Sequence, residues 1–384
     1  MNLKMLAFAL SFLRRRLWKN LAVFFVFWAL IFLVSSAFLI AASIKKELFA
    51  TLEELPQIFV QRTIAGRLLP SPVARIEKIE QIEGVEAAYG RVWGYYYFPA
   101  AGVNFSVVGL DMDMAGFTPW MDEILASGKE GMVVGEGVKR VLLSHYYKDY
   151  FNFITPSGDF LKVPLVGAFP AHTELESSDT ILLPMQTARK IFGMPQDQVS
   201  DIAVRVNNPK EIATIAAKIR VLYPDSRVLT RFDINAAYQN VFDYKSGLFL
   251  ALMLGAFFAF FILVFEKMSS VGKEERREIA ILKALGWRIG DVLRLKFLES
   301  SLIAIFAYGL GVVGAYFFVY SMQAPLLRNL FTGFSVLKPR FELIPVLDIG
   351  LLLSIFFATV PLYLAATIVP TWRSSVIDPE EALR

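Results

Sequence analysis

The chain contains no cysteine and only two histidines among its 384 residues. The first absence excludes disulfides, thiolate metal sites and cysteine catalysis, while leaving the redox compartment open. The second leaves little for an imidazole metal site, because neither His145 nor His172 has a partner at ligand spacing. Glu174 and Glu176 stand near His172 in "HTELE", as a polar loop would place them. A phosphate loop is missing as well. Gly128-Lys129 and Gly272-Lys273 are each followed by glutamate and lack the upstream glycine of that motif. "DMDMAGFTPWMD" sets Asp111, Asp113, Gly116 and Asp122 roughly as a calcium loop does, but Ala115 supplies no ligand and the bidentate glutamate is absent. No nucleophile–base arrangement stands out, so no catalytic, cofactor-binding or metal-ligating residue is expected.

Charge is lacking from four long stretches: 21–44, 246–265, 300–327 and 349–372. A helix crosses a hydrocarbon core of about 30 Å with about 20 apolar residues. The sequence has no barrel-like alternation, so helices are the way these segments satisfy their backbone in lipid. The chain is 55% hydrophobic, with a mean hydropathy of +0.50. The expected fold is therefore a membrane protein with four transmembrane helices. The first stretch is longer than the apolar core of a signal peptide, and "IAASIKKE" offers no clean cleavage site, so it reads as an uncleaved signal anchor. No span carries a charge at its centre, which disfavours an ion-coupled transporter or channel.

Orientation follows from the basic residues beside the spans. Lys4, Arg14, Arg15, Arg16 and Lys19 precede the first; Lys267, Lys273, Arg276, Arg277, Lys283 and Arg288 follow the second. Between the third and fourth stand only Arg328, Lys338 and Arg340, offset by Glu342 and Asp348. Both termini and the loop after span 2 are thus expected in the cytoplasm, with the segment between spans 1 and 2 on the other side. The net charge of +4 fits this topology and gives no reason to expect nucleic acid.

The large segment between spans 1 and 2 reads as a folded α+β domain inserted between the two helices. "SPVARIEKIEQIEG" suggests a helix with Ser71 as N-cap, Pro72 at the first position and Gly84 as the stop. Hairpin turns are expected at Ala101-Gly102 and at Ser157-Gly158-Asp159. Asn208, Pro209 and Glu211 are placed to start a helix. Two subdomains would divide near 122–131. Asp233 is placed to N-cap a helix running to 268 without proline, about 50 Å long and so longer than the bilayer core. Its surplus would form a stalk, and span 1 would extend likewise through "IKKELFATLEEL" to Pro56. "GYYYFPAAGVNF" offers an aromatic surface, with Tyr95, Tyr96, Tyr97 and Phe98 as candidates to meet a partner or an amphiphile.

Two further patterns concern helix packing and the loop after span 2. "GLGVVG" meets the dinucleotide pattern, yet it lies inside a span with no strand before it and no acid at the right distance. Ala307, Gly311 and Ala315 recur every four residues and suit close helix approach instead. "EERREIAILKALGW" predicts a helix starting near Gly272, capped by Ser269 or Ser270 and ended by Gly286. Its first half is charged and its second half is apolar nearly all round, so those side chains need cover. That cover is either the membrane bundle itself or the groove of a partner.

"KEERREIAILKALGWRIGDVLRLKFLESSLIAIFAYGLGVVGAYF" resembles the FtsX/MacB/LolC–LolE group of ABC transporter permeases, a mechanotransmission family. "PTWRSSVIDPEEALR" is similar to the ending of that family, and "ALSFLRRRLWKNLAVFF" to its helix before the first span. The resemblance implies a cytoplasmic amphipathic helix (1–20), a first span (21–44) and a MacB-like extracytoplasmic core (45–232). A stalk with span 2 (233–268), a coupling helix (269–290) and span 3 (291–323) follow. An external loop (324–345), span 4 (346–370) and a cytoplasmic tail (371–384) complete the layout. It implies residence in a bacterial inner membrane and a separate cytoplasmic ABC ATPase that binds ATP and Mg, with no cofactor in this chain. The coupling residues would be Arg276, Arg277, Glu278 and Lys283 as polar contacts, Ile279, Leu282 and Leu285 as the anchor, and Gly286 as the helix end. Partners would be a second or sister permease and a periplasmic adaptor, carrier or hydrolase. The work done would be export or extraction of lipoprotein, lipid, peptide or drug; the alternative is a relay that activates a cell-wall hydrolase and moves no substrate.

Overall fold

The computed structural model describes residues 3–376, apart from 55, 112–130, 171–172, 243–246 and 270–272. Most of the calcium-like loop, His172, Ser270, Gly272 and the terminal "DPEEALR" lie outside the described residues. The chain opens with α1 (Leu3–Arg15), α2 (Leu17–Glu54), β1 (Ile58–Ile64), β2 (Arg67–Leu69), β3 (Ser71–Pro72) and α3 (Ala74–Glu80). Next come β4 (Val85–Phe98), β5 (Val103–Leu110), β6 (Met132–Val134), α4 (Glu136–Ser144), β7 (Tyr150–Ile154) and β8 (Phe160–Ala168). Then follow α5 (Glu174–Ser177), β9 (Thr180–Pro184), α6 (Met185–Phe192), β10 (Gln198–Val199), β11 (Asp201–Val206), α7 (Ile212–Leu222) and β12 (Ser226–Thr230). The last elements are α8 (Arg231–Phe242), α9 (Gly247–Ser269), α10 (Lys273–Ala284), α11 (Ile289–Tyr316), α12 (Leu327–Thr332) and α13 (Ile349–Val376). They form two compact units: 1–43 with 242–328 and 343–384, and 44–241 with 329–342.

The first unit is helical. Among the described residues three helices are long and apolar enough to cross a membrane: Leu17–Leu48, Ile289–Ser321 and Ile349–Arg373. The remaining expected span falls on α9, where the described apolar stretch Leu250–Ile262 is shorter. Phe27 and Ile31 of α2 pack with Phe260, Ala304, Ala307, Val360 and Tyr363. The rings of Phe27 and Tyr363 stack at 5.0 Å. α2 is unbroken for 38 residues, about 57 Å at 1.5 Å per residue.

The second unit is built on a 10-stranded sheet with the order β12-β1-β11-β4-β5-β9-β6-β8-β7, and β2 paired to β1. Two cores share this sheet. One is aliphatic, with Ile58, Val60, Ile202 and Val204 under Ile215 and Ile219 of α7. The other is aromatic, with Phe98, Phe105, Phe151 and Phe153 against Val138 and Leu142 of α4. β4 belongs to both, pairing with β11 through Arg91 and with β5 from Val92 onward. At this handover Arg91 donates to Asp201 at 2.8 and 2.7 Å, and the Trp93 indole donates to the same carboxylate at 2.9 Å. Asp201 is fully buried. Burial works to lower the Arg91 pKa, but the Asp201 carboxylate outweighs it and holds the guanidinium charged.

Three expectations are corrected here. The aromatic core joins 98–107 to 132–191, so 122–131 does not separate subdomains; the division runs through β4. Ser71 and Pro72 do not begin a helix. They pair with Val199 and Gln198, and α3 starts at Ala74, because a strand pairing with a distant part of the same chain overrides the local capping signal. At α8 the helix begins two residues before Asp233. The Asp233 amide donates to Thr230 Oγ1 at 3.2 Å, and the Asp233 carboxylate accepts from the Thr230 amide at 2.9 Å. This reciprocal capping box makes Thr230 the cap, and the bonds from Thr230 draw the Asp233 pKa down. The hairpin turns fall where expected, with Gly102 at φ 65° and Gly158 at φ 90°.

Candidate functional site

The helix encoded by "KEERREIAILKA" is α10, and its C-terminus is built by the four residues Ala284-Leu285-Gly286-Trp287. The Gly286 amide donates to Lys283 O at 2.9 Å and the Trp287 amide to Leu282 O at 3.1 Å. These bonds, with Gly286 at φ 92°, form a Schellman motif, and Leu282 and Trp287 belong to the same apolar cluster. The left-handed conformation is the reason for glycine there.

The faces of α10 have different fates. Ile279 and Leu282 are buried with Ala9 of α1 and with Val292 and Leu295 of α11. Phe8 of α1 stacks on Trp287 at 5.3 Å. Burying two such aliphatic side chains is worth about 1.5–3 kcal/mol each. The polar residues on this side are also engaged: Glu278 pairs with Arg16 at 3.2 Å, and Lys283 Nζ donates to Ser375 O of α13 at 2.9 Å. Ile279 and Leu282, expected to anchor a partner, are therefore covered by the chain's own helices. The opposite face is open. It carries Arg277, Ile281 (47% exposed), Ala284, Leu285 (73%), Gly286 and Arg288. Residues 277, 281, 284 and 285 follow the helical repeat and make one ridge, while Arg288 is exposed beyond the turn at Gly286. Arg276 lies in the helix, and its side chain is outside the described ones.

The small residues of α11 and the tyrosines of β4 are also placed. Ala307, Gly311 and Ala315 are buried. A Cβ at Gly311 would stand 2.8 Å from Ile31 Cγ2 and 3.2 Å from Trp28 O, so α2 approaches α11 at this glycine. Along β4 the strand period divides the aromatic run: Tyr95 (69% exposed) and Tyr97 (57%) face outward. Tyr96 packs on the aromatic core, where its hydroxyl accepts from the Ile154 amide at 2.9 Å, and Phe98 is buried. The candidate surface thus narrows to Tyr95 and Tyr97, with Trp93 set edge-on to Tyr95 at 6.1 Å. His145 is structural, with Nδ1 2.9 Å from Val141 O and Nε2 3.2 Å from Ala100 O.

Residues 29–222 match the family model of the MacB-like periplasmic core domain, and 246–379 match that of the FtsX-like permease C-terminal region. The chain belongs to the FtsX-like, MacB-like family of ABC transporter permeases. One curated relative, a macrolide export ATP-binding/permease protein MacB of Rhodopseudomonas palustris (strain BisB18), is 25% identical over 262 residues. That alignment covers 63% of this chain and 37% of the relative, so the chain spans little more than a third of its length. Among solved structures, the periplasmic region of MacB from Actinobacillus actinomycetemcomitans aligns at 9% identity and a TM-score of 0.34, covering 49% of this chain and 96% of that one. The extracellular domain of the noncanonic ABC-type transporter YknZ from Gram-positive bacteria aligns at 13% identity and 0.29, covering 45% and 99%.

In this FtsX-like, MacB-like permease one feature escapes the side-chain pattern. Residues 333–342, from the permease-matched part of the sequence, are strapped to the MacB-like core. Ser178 Oγ donates to Leu337 O at 2.7 Å, and Arg140 donates to Lys338 O at 2.8 Å. Glu174 Oε1 accepts from the Arg340 amide at 2.8 Å and pairs with Arg140 at 3.4 Å. The Leu337 side chain enters the aromatic core. A Cβ at Gly137 would lie 2.7 Å from Leu337 O, so the glycine makes room for the strap.

Proposed function

We propose that the chain is the transmembrane subunit of an ABC transporter that couples ATP hydrolysis in a separate ATPase to movement of its external domain. In this reading four helices cross a bacterial inner membrane, with α9 as the second, and both termini are cytoplasmic. ATP and Mg are bound by the ATPase and not by this chain. The permease works as a pair, with itself or with a sister subunit. The cargo is a lipoprotein, lipid, peptide or drug handled on the external side, with an adaptor or carrier receiving it.

The observation that carries this reading is the two-sided character of α10. Its inner face is packed onto α1 and α11, and Lys283 ties it to α13. Its outer face leaves an apolar and cationic ridge open at Arg277, Ile281 and Leu285. A helix backed in this way can seat in a groove and pass a push to the helices behind it. The unbroken α2 and the strap at Leu337 are two elements through which such a push would reach the external domain.

Because the chain has no cysteine, a single Leu285→Cys variant gives a clean crosslinking probe. We expect Leu285→Cys to crosslink to the co-expressed ATPase through a short bifunctional reagent, and Ile279→Cys not to. Absence of any Leu285→Cys crosslink in an intact complex would remove α10 from the interface.

A further inference from the structure

We propose that the junction of α1 and α2 is a binding site for anionic phospholipid headgroups, a property that goes beyond ATPase coupling. Arg16 interrupts the helix between Arg15 and Leu17 and turns inward to Glu278 at 3.2 Å. The Asn20 side chain fastens the junction by donating to Leu13 O at 3.1 Å. The flanking residues Arg14, Arg15, Leu17, Trp18 and Lys19 are all exposed. Arg14, Arg15 and Lys19 carry no ion pair among the described residues, and Trp18 is 85% exposed.

The depth of this patch is set by the span that follows. The uncharged stretch begins at Leu21, three residues or about 4.5 Å along the helix axis from Trp18. That distance places an amphipathic indole and the neighbouring Lys19 at the boundary of the hydrocarbon, with Arg14 and Arg15 just across the junction, where tryptophan rests and where lysine and arginine meet phosphate. A second tryptophan–arginine pair, Trp372 and Arg373, is exposed near the end of α13. It stands on the same side of the helical unit, since Lys283 of α10 reaches Ser375 while Glu278 of α10 reaches Arg16. An acidic protein would satisfy the cations but would have to cover Leu17 and Trp18 at the mouth of a membrane span. A lipid headgroup with its acyl chain satisfies both. Headgroup binding would also steady α1, the helix that covers Ile279.

The test uses the full chain purified in neutral detergent and offered equal amounts of phosphatidylglycerol and phosphatidylcholine, with retained lipid measured after washing. The wild type should retain phosphatidylglycerol preferentially, and high salt should erode that preference. The triple variant Arg14→Gln, Arg15→Gln, Lys19→Gln should lose the preference by roughly tenfold or more. Its thermal midpoint should stay unchanged, because the three side chains are exposed. Quenching of Trp18 fluorescence by brominated phosphatidylglycerol, taken as the difference from a Trp18→Phe variant, should exceed that by brominated phosphatidylcholine. Equal retention of the two lipids by the wild type would overturn the site. So would a triple variant that keeps its lipid preference but loses the ATPase, which would assign the cations to a protein partner.

Discussion

The two connections that flank α11 are held down by opposite means. The one before it, α10 with its Schellman end, is held by side chains: Ile279 and Leu282 under α1, Glu278 on Arg16, Trp287 on Phe8. The one after it, the strap at 333–342, is held mostly by its main chain, with Leu337 O, Lys338 O and the Arg340 amide bound by Ser178, Arg140 and Glu174. A connection held by its own side chains announces itself in its sequence. One held by its backbone is written in the residues that grip it, far away in the chain. The comparison also separates two duties, since α10 keeps a free face and the strap buries Leu337 in the aromatic core.

Substitutions can break this contrast or sharpen it. The largest losses should come from the buried apolar residues on each side. Ile279→Ala should cost about 2–5 kcal/mol, and Leu337→Ala should fall within the same range because its cavity opens in the aromatic core. Thermal or denaturant unfolding of the full chain in detergent checks both. Next come the groups that grip the strap. Glu174→Gln weakens one bond to a main-chain amide and removes the partner of Arg140, for an expected loss of about 1–3 kcal/mol. Hydrogen exchange should then quicken at 335–342 and stay unchanged in α10. Gly286→Ala puts a Cβ on a residue at φ 92° and should destabilise by about 1 kcal/mol. Equal protection of the Trp287 amide in wild type and variant would show that the Schellman end does not hold α10. Smallest in stability is Leu285→Ala, expected within about 0.5 kcal/mol of wild type, since that side chain touches little of its own protein.

The same contrast explains what could be read in advance. The helix over 273–284 and its glycine stop were legible because capping and composition are local. Which face did what was not. "EIAILKAL" carries no clean stripe because apolar residues serve both faces, with Ile279 and Leu282 inward and Ile281 and Leu285 outward. Along β4 a period of two was available to sort Tyr95 and Tyr97 from Tyr96 and Phe98, yet the run reads as uniformly aromatic. The two-core sheet was hidden because β4 changes partner at Val92 without a break in its sequence. The strap left almost no trace, as carbonyl oxygens look alike in every residue.

The central claim is that the open ridge of α10, and not its buried face, receives the ATPase. The most direct measurement is ATP turnover by the partner ATPase, reconstituted with wild-type permease and with Leu285→Asp. The variant should fold with an unchanged melting temperature and fail to alter ATPase turnover. If Leu285→Asp couples as well as wild type, the ridge is not the docking surface and the account of α10 is wrong.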